Sequence, residues 1–223
     1  MPRFVDCEQR TTEWFKVHAG RITASRMCDL TAYSKAKGKE GVELKARADY
    51  RAELVAERLS GQMSQHFVTE QMKWGTEQEP YAKSAYEQTR DTMLEEVGFA
   101  IHPVYDFAGA SPDGICDGTK VVEFKNLTTA NHLAILDSGV VPDDYRDQVL
   151  WTMLCCECEE ADFVSCDSRL AQNAKELELV IIPVPYDEQR IAELEAEAVK
   201  MNAEVEAKIN RIRNRQMQYR TRE

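Results

Sequence analysis

The chain predicts an α/β fold in which a central, mixed and largely antiparallel sheet is flanked by helices. Helical patterns come first, short strand-like runs separated by turn residues follow from Val97 to Lys125, and then a helix and further strands. Asp117-Gly118 between two such runs marks a hairpin. Leu179, Val180, Ile181 and Ile182 form an unbroken apolar run, expected for a buried strand.

In order, Thr12–Val17 reads as a short helix carrying Trp14. Gly20-Arg21-Ile22-Thr23-Ala24-Ser25 reads as a turn entering another helix, with Thr23 as its cap. The segment 31–41 is a polar, lysine-rich loop. A long amphipathic helix from Val42 to Leu59 is stopped by Ser60-Gly61. Trp74-Gly75 marks the next boundary, and a helix runs from Thr76 or Pro80 to Thr89. Strands are expected over Val97–Tyr105, Phe107–Ala110 and Val121–Lys125, then a helix over Tyr145–Cys158. Strands over Asp162–Cys166 and Leu177–Val184 precede a charged helix from Asp187 to Arg215. With 223 residues, the simplest organisation is one domain: a core over 12–186, the helix over 187–215 and a basic tail over 216–223.

There is no apolar run of about 18 residues and no signal-peptide pattern, so a soluble, cytoplasmic protein without a membrane role is expected. Seven cysteines, an odd number with four crowded into Cys155–Cys166, do not make a secreted disulfide framework. With no histidine nearby, they read as reduced core thiols rather than zinc or iron–sulfur ligands. Trp14, Trp74 and Trp151 read as packing residues. The net charge of −11 argues against indiscriminate coating of nucleic acid. Yet the charge is segregated: Lys208, Arg211, Arg213, Arg215, Arg220 and Arg222 crowd the end of the chain, and Lys35, Lys37 and Lys39 form a small basic loop. That distribution fits either a phosphate-binding patch or a solvated helix with a basic tail.

The chemistry concentrates in Ser111-Pro112-Asp113-Gly114, followed across the hairpin by Glu123-Phe124-Lys125. On a strand, Glu123 and Lys125 share one face and Phe124 points the other way. Cleaving a phosphodiester calls for a hard cation that polarises a phosphoryl oxygen and helps ionise a water, and Mg²⁺ needs only one or two protein carboxylates. Asp113 and Glu123 would supply them, and Lys125 would orient the water or stabilise charge developing on phosphorus. The two acids share a face only if the hairpin loop has an odd number of residues or carries a bulge, which predicts a Cys116-Asp117-Gly118 loop with Gly118 left-handed. Ordinary turns and a solvated strand face are the alternative reading of the same residues.

Glu79, before Pro80, reads as a helix-start carboxylate or as half of a capping box with Thr76. Gln148 lies among apolar helix positions, and Ser25 at a helix start is either a cap or part of an anion site.

These motifs, in this order from Trp14 to about Asp167, resemble the lambda-exonuclease, or YqaJ-type, family of viral recombination nucleases. The resemblance implies a restriction-endonuclease-like core and Mg²⁺-dependent 5′→3′ digestion of one strand of linear double-stranded DNA, with one or two ions and Mn²⁺ as a substitute. It further implies a homotrimeric ring around DNA ends, a partner single-strand annealing protein, and a phage or prophage origin. By position, Asp113 and Glu123 would be the metal carboxylates, with the Phe124 backbone carbonyl beside them. Lys125 would be the catalytic lysine, Glu79 and Gln148 would complete the metal and water shell, and Ser25 and Ser111 would line a 5′-phosphate pocket. Where better-known relatives have an arginine four residues after the tryptophan, this chain has His18, whose charge would vary near neutral pH, with Arg21 as a possible substitute. A RecB-like or endonucleolytic nuclease and a non-enzymatic phage interaction protein are the competing expectations.

Overall fold

The computed structural model describes residues 2–64 and 69–220; Arg222 and Glu223 of the expected tail lie outside the described residues. Strand β1 (Arg3–Val5) leads into α1 (Thr12–His18), whose N-cap Thr11 accepts from the Trp14 N–H. After β2 (Ile22–Thr23) a single 3₁₀ turn, Ala24–Arg26, passes into the one-turn α2 (Met27–Leu30). Thr23 occupies the cap position but makes no side-chain cap, contrary to expectation; instead its N–H meets the Tyr50 hydroxyl at 3.2 Å.

Helix α3 (Lys45–Ser60) ends on Gly61 at φ +69°, the left-handed stop expected there. Helix α4 (Glu70–Arg90) departs from expectation. It begins at the N-cap Thr69, six residues or more before Thr76, and runs through both Gly75 and Pro80. Glu79 is therefore mid-helix, and the capping-box reading of Thr76 and Glu79 fails. Local breakers lose here to packing: Ala82 and Tyr86 of α4 are buried with Phe124 and Val122, and such tertiary contacts override helix propensity.

Short strands β3 (Leu94–Glu95), β4 (Phe99–Ile101) and β5 (Ala108–Ala110) precede the hairpin of β6 (Gly114–Cys116) and β7 (Lys120–Lys125). Helix α5 (Thr129–Ser138), absent from the sequence reading, and α6 (Asp143–Cys156) form the crossover to β8 (Glu160–Cys166). Strand β9 (Leu179–Pro185) and the long α7 (Glu188–Arg220) finish the described chain.

The strands divide into two mixed sheets, ordered β1-β4-β5-β2 and β3-β6-β7-β8-β9. Within the second, only β7 and β8 are parallel, as a helical crossover requires. Strand β9 pairs only with β8, so it is an edge strand, and its Leu179–Ile182 run is half-buried rather than fully buried.

Helix α6 is the centre of the molecule. Its Val149, Leu150, Trp151, Met153, Cys155 and Cys156 join residues of α2, α3 and α7 in the main core, while β7 separates that core from the smaller cluster under α4. All seven cysteines are free thiols, and Cys155, Cys156, Cys158 and Cys166 are buried. Among the described residues no helix is long and apolar enough to cross a membrane.

Candidate active site

The hairpin register places the acids. Cys116 pairs with Lys120, Ile115 with Val121 and Gly114 with Val122, so one further step along the ladder sets Asp113 across from Glu123. The connection is Asp117-Gly118-Thr119, one residue later than expected but still odd in number. Asp117 (φ +49°) and Gly118 (φ +67°) are both left-handed, and Thr119 N–H closes the turn on Cys116 O at 3.1 Å. A tight turn with two positive φ angles is followed by Thr119, which stays out of the ladder, so that Cys116 pairs with Lys120 and both acids lie on one face.

Alternation along β7 does the rest. Val122 and Phe124 point into the cluster under α4, while Glu123 and Lys125 point the other way, toward α6. Glu123 is 2% exposed. Its Oε1 accepts from Lys125 Nζ at 2.6 Å and also from Gln148 Nε2 on α6. Its Oε2 is buried and meets no hydrogen-bond donor. Asp113 Oδ2 accepts from the Phe124 N–H at 2.8 Å. Burial, then the Glu123 charge, raises the Asp113 carboxyl well above its ordinary value, against the pull of Lys125. Burial works to lower the Lys125 ammonium, but the Glu123 and Asp113 carboxylates outweigh it and the net shift is upward. Tyr145 backs the ammonium, its ring centroid 5.3 Å from Nζ.

Two acids, Glu123 buried and Asp113 half-buried, facing one lysine leave uncompensated negative charge and an oxygen without a donor. A divalent cation with oxygen ligands answers both deficits. Among the described residues no group of three or more His, Cys, Asp and Glu side chains is arranged to hold a metal, so the side-chain share would be the two carboxylates.

Around this centre is a cleft of about 610 Å³, which also brings together Ser25, Ser111, His18, Glu79 and Gln148. Ser111 Oγ donates to Gly98 O at 2.9 Å and accepts from Trp14 Nε1 at 2.8 Å. His18 is wedged between the rings of Trp14 and Phe99, with centroids 4.2 and 5.3 Å away. Burial, reinforced by Arg21, lowers its pKa to about 4, so its charge does not vary near neutral pH as the sequence reading expected. Arg21 is not a cleft residue: its guanidinium donates to Val17 O and to Asp106 O.

Several cleft residues carried no sequence signal. Arg10 Nη2 donates to Glu79 Oε2 at 2.6 Å, and Gln9 Nε2 ties the same loop to Val97 O and Pro112 O, at 2.9 and 2.8 Å. Asn126 Nδ2 donates to Gly75 O at 3.0 Å, fixing α4 against the end of β7. The loop before α1 has no periodicity to read, and only the fold brings it against Asp113.

Residues 13–159 match the YqaJ-like viral recombinase domain. The crystal structure of an alkaline exonuclease from Laribacter hongkongensis is 32% identical, with a TM-score of 0.83, over 94% of this chain and 100% of that one. The same enzyme in complex with dAMP gives 31% identity and a TM-score of 0.84, over 94% and 100% of the two chains. A phage-related exonuclease from Haemophilus somnus 129PT shares the fold at 13% identity, with a TM-score of 0.65, over 86% and 96%. No curated protein matches the chain. The fold is thus the restriction-endonuclease-like one of these exonucleases, and with the recombinase domain matched from the first helix to the end of α6, the chain belongs to the YqaJ-like viral recombinase family.

Proposed function

We propose that the chain is a Mg²⁺-dependent exonuclease that digests one strand of linear double-stranded DNA from its 5′ end. The observation that carries the proposal is Glu123 Oε2, a buried carboxylate oxygen without a donor, beside a second, half-buried acid and a lysine. Asp113, Glu123 and the Phe124 backbone carbonyl would hold the ion, with Glu79 and Gln148 toward its waters; Mn²⁺ suits the same oxygen set. When bound, the ion supplies Lewis acidity to the phosphoryl group and lowers the pKa of a water.

The chain's own residues account for the remaining requirements. Lys125 and Gln148 both donate to Glu123 Oε1, which orients the carboxylate and leaves Oε2 for the ion. Lys125, held beside the acids by its ion pair with Glu123, would place a positive charge against the phosphoryl group in the transition state. Ser25 and Ser111 lie on the cleft wall with His18 and would receive the terminal phosphate; a neutral imidazole offers it one hydrogen bond rather than a charge.

The resemblance in sequence extends the proposal to a homotrimeric ring around the DNA, acting in the cytoplasm of a phage-infected bacterium with a single-strand annealing partner. A ring also suits a chain of net charge −11, because encirclement retains DNA with few tight contacts.

The test is digestion of linear and closed-circular duplex with Mg²⁺, using wild type beside Lys125→Ala. Linear DNA should be degraded and circles spared, with the variant folded and inactive. Attack on circles would favour an endonuclease; inertness toward both would leave an interaction protein.

A further inference from the structure

We infer that Arg10 is a DNA-phosphate-binding residue, held by Glu79 until substrate arrives. The inference rests on the nuclease reading above and adds a residue that neither the motifs nor the family match singles out.

Arg10 has a left-handed backbone at a position where glycine is the unstrained choice. Among the described residues four non-glycine positions have positive φ: Arg10, Asp91, Asp117 and Glu157. Asp91 and Glu157 end α4 and α6, and Asp117 turns the hairpin, all places where a left-handed residue closes a hydrogen-bonded turn. Arg10 (φ +66°) is the third residue of the Glu8–Thr11 turn that leads into α1, where the Thr11 N–H meets Glu8 O at 3.4 Å. Glycine would adopt this conformation without strain and arginine does not. Strain of this kind collects where function holds it.

Stability does not account for Arg10. Its ion pair with Glu79 is open to solvent, with side chains 51% and 29% exposed, and exposed pairs add little to a fold. Position accounts for it better. Arg10 lines the catalytic cleft and also a second cleft, which shares Glu79, Asp113 and Phe124 with the first. Gln9 pins the adjoining backbone to Pro112 O, next to Asp113, so the loop is anchored while the guanidinium is free to change partners.

Charge in the cleft points the same way. Its lining carries Glu79, Asp113 and Glu123 against two cations, Arg10 and Lys125; His18 is neutral and Arg21 is elsewhere. Lys125 is committed to Glu123. Among the described residues Arg10 has one polar partner, Glu79 Oε2 through Nη2, which leaves the remaining guanidinium N–H groups for a phosphate fork.

The test is binding of labelled 5′-phosphate and 5′-hydroxyl duplexes in EDTA, with thermal melts, for wild type, Arg10→Gly, Arg10→Lys, Glu79→Gln and the Arg10→Gly/Glu79→Gln double variant. Arg10→Gly should melt no lower than wild type, bind about tenfold more weakly and lose about one unit of salt slope. Arg10→Lys should fall between the two, and Glu79→Gln should bind more tightly than wild type. Loss confined to the 5′-phosphate duplex assigns Arg10 to the terminal phosphate, and equal loss on both assigns it to an internal phosphodiester. Wild-type binding by Arg10→Gly, or by the double variant, overturns the inference; the latter would mean that Arg10 only neutralises Glu79. A melt that falls in step with affinity in both Arg10 variants overturns it too, as a structural role. A wild type inert on linear duplex with Mg²⁺ is a separate outcome and sinks the nuclease reading instead.

Discussion

Lys125 and Glu123, two positions apart on β7, form an ion pair of 2.6 Å in which the carboxylate side chain is 2% exposed and the lysine 20%. The pair is not an ordinary stabilising bridge, because half-buried Asp113 adds a second acid beside the same lysine. Removing the lysine leaves two acids facing each other out of water. Lys125→Ala should therefore destabilise the protein by about 3 kcal/mol and slow cleavage by about 10²- to 10³-fold. Urea melts and single-turnover digestion measure the two effects. A folded variant cutting at the wild-type rate would remove Lys125 from the chemistry.

Asp113→Asn should behave in the opposite way in the metal-free protein. The amide keeps an oxygen for the Phe124 N–H but removes the charge that burial and Glu123 disfavour. The variant should gain about 1 kcal/mol in EDTA, a stability gained by giving up function. Mg²⁺ should then raise the melting temperature of wild type, because a ligand stabilises the state it binds, and leave the variant unmoved. Equal Mg²⁺-induced shifts would show that the ion sits elsewhere.

His18 gives a pH prediction of definite sign. Its pKa falls from 6.5 unfolded to about 4 folded, chiefly through burial and then through Arg21. Between those values the unfolded chain binds the extra proton, so this group's contribution is fully present above pH 6.5 and is lost as pH falls through 4. His18→Gln should flatten that part of the stability profile. In the native enzyme the ratio of rates on 5′-phosphate and 5′-hydroxyl ends should stay constant from pH 6 to 8. A preference that rises steeply toward pH 6 would mean that the imidazole is charged in the complex.

The site was legible where chemistry is local and obscure where it is assembled from a distance. Asp117-Gly118 announces a tight turn by composition, and strand alternation then orients Glu123, Phe124 and Lys125 without further information. The extent of α4 was not legible, because Gly75 and Pro80 signal a break that Ala82 and Tyr86 override by packing against Phe124. Helix α5 escaped for a related reason. Its buried His132 reads as polar, but it is held by Ser165 Oγ at 2.8 Å and Leu177 O at 2.7 Å, partners far along the chain. Arg10 was illegible altogether: a left-handed backbone and a contact with Glu79 leave no pattern in composition.

The hairpin offers the most direct test of how register makes the site. Deleting Thr119 leaves Asp117-Gly118, a two-residue turn that strand twist favours, so folding should survive. The ladder keeps its register, because Cys116 and Lys120 then flank the two-residue turn directly and Asp113 stays across from Glu123. The deletion should therefore keep cleavage, the Mg²⁺-induced thermal shift and a cooperative melt. Gly118→Ala is the complementary case. An added Cβ meets nothing within 4 Å, so the substitution costs only the strain of φ +67°, about 1 kcal/mol, and should leave activity intact. A Thr119 deletion that folds but neither cuts DNA nor responds to Mg²⁺ would show that register alone does not make the site.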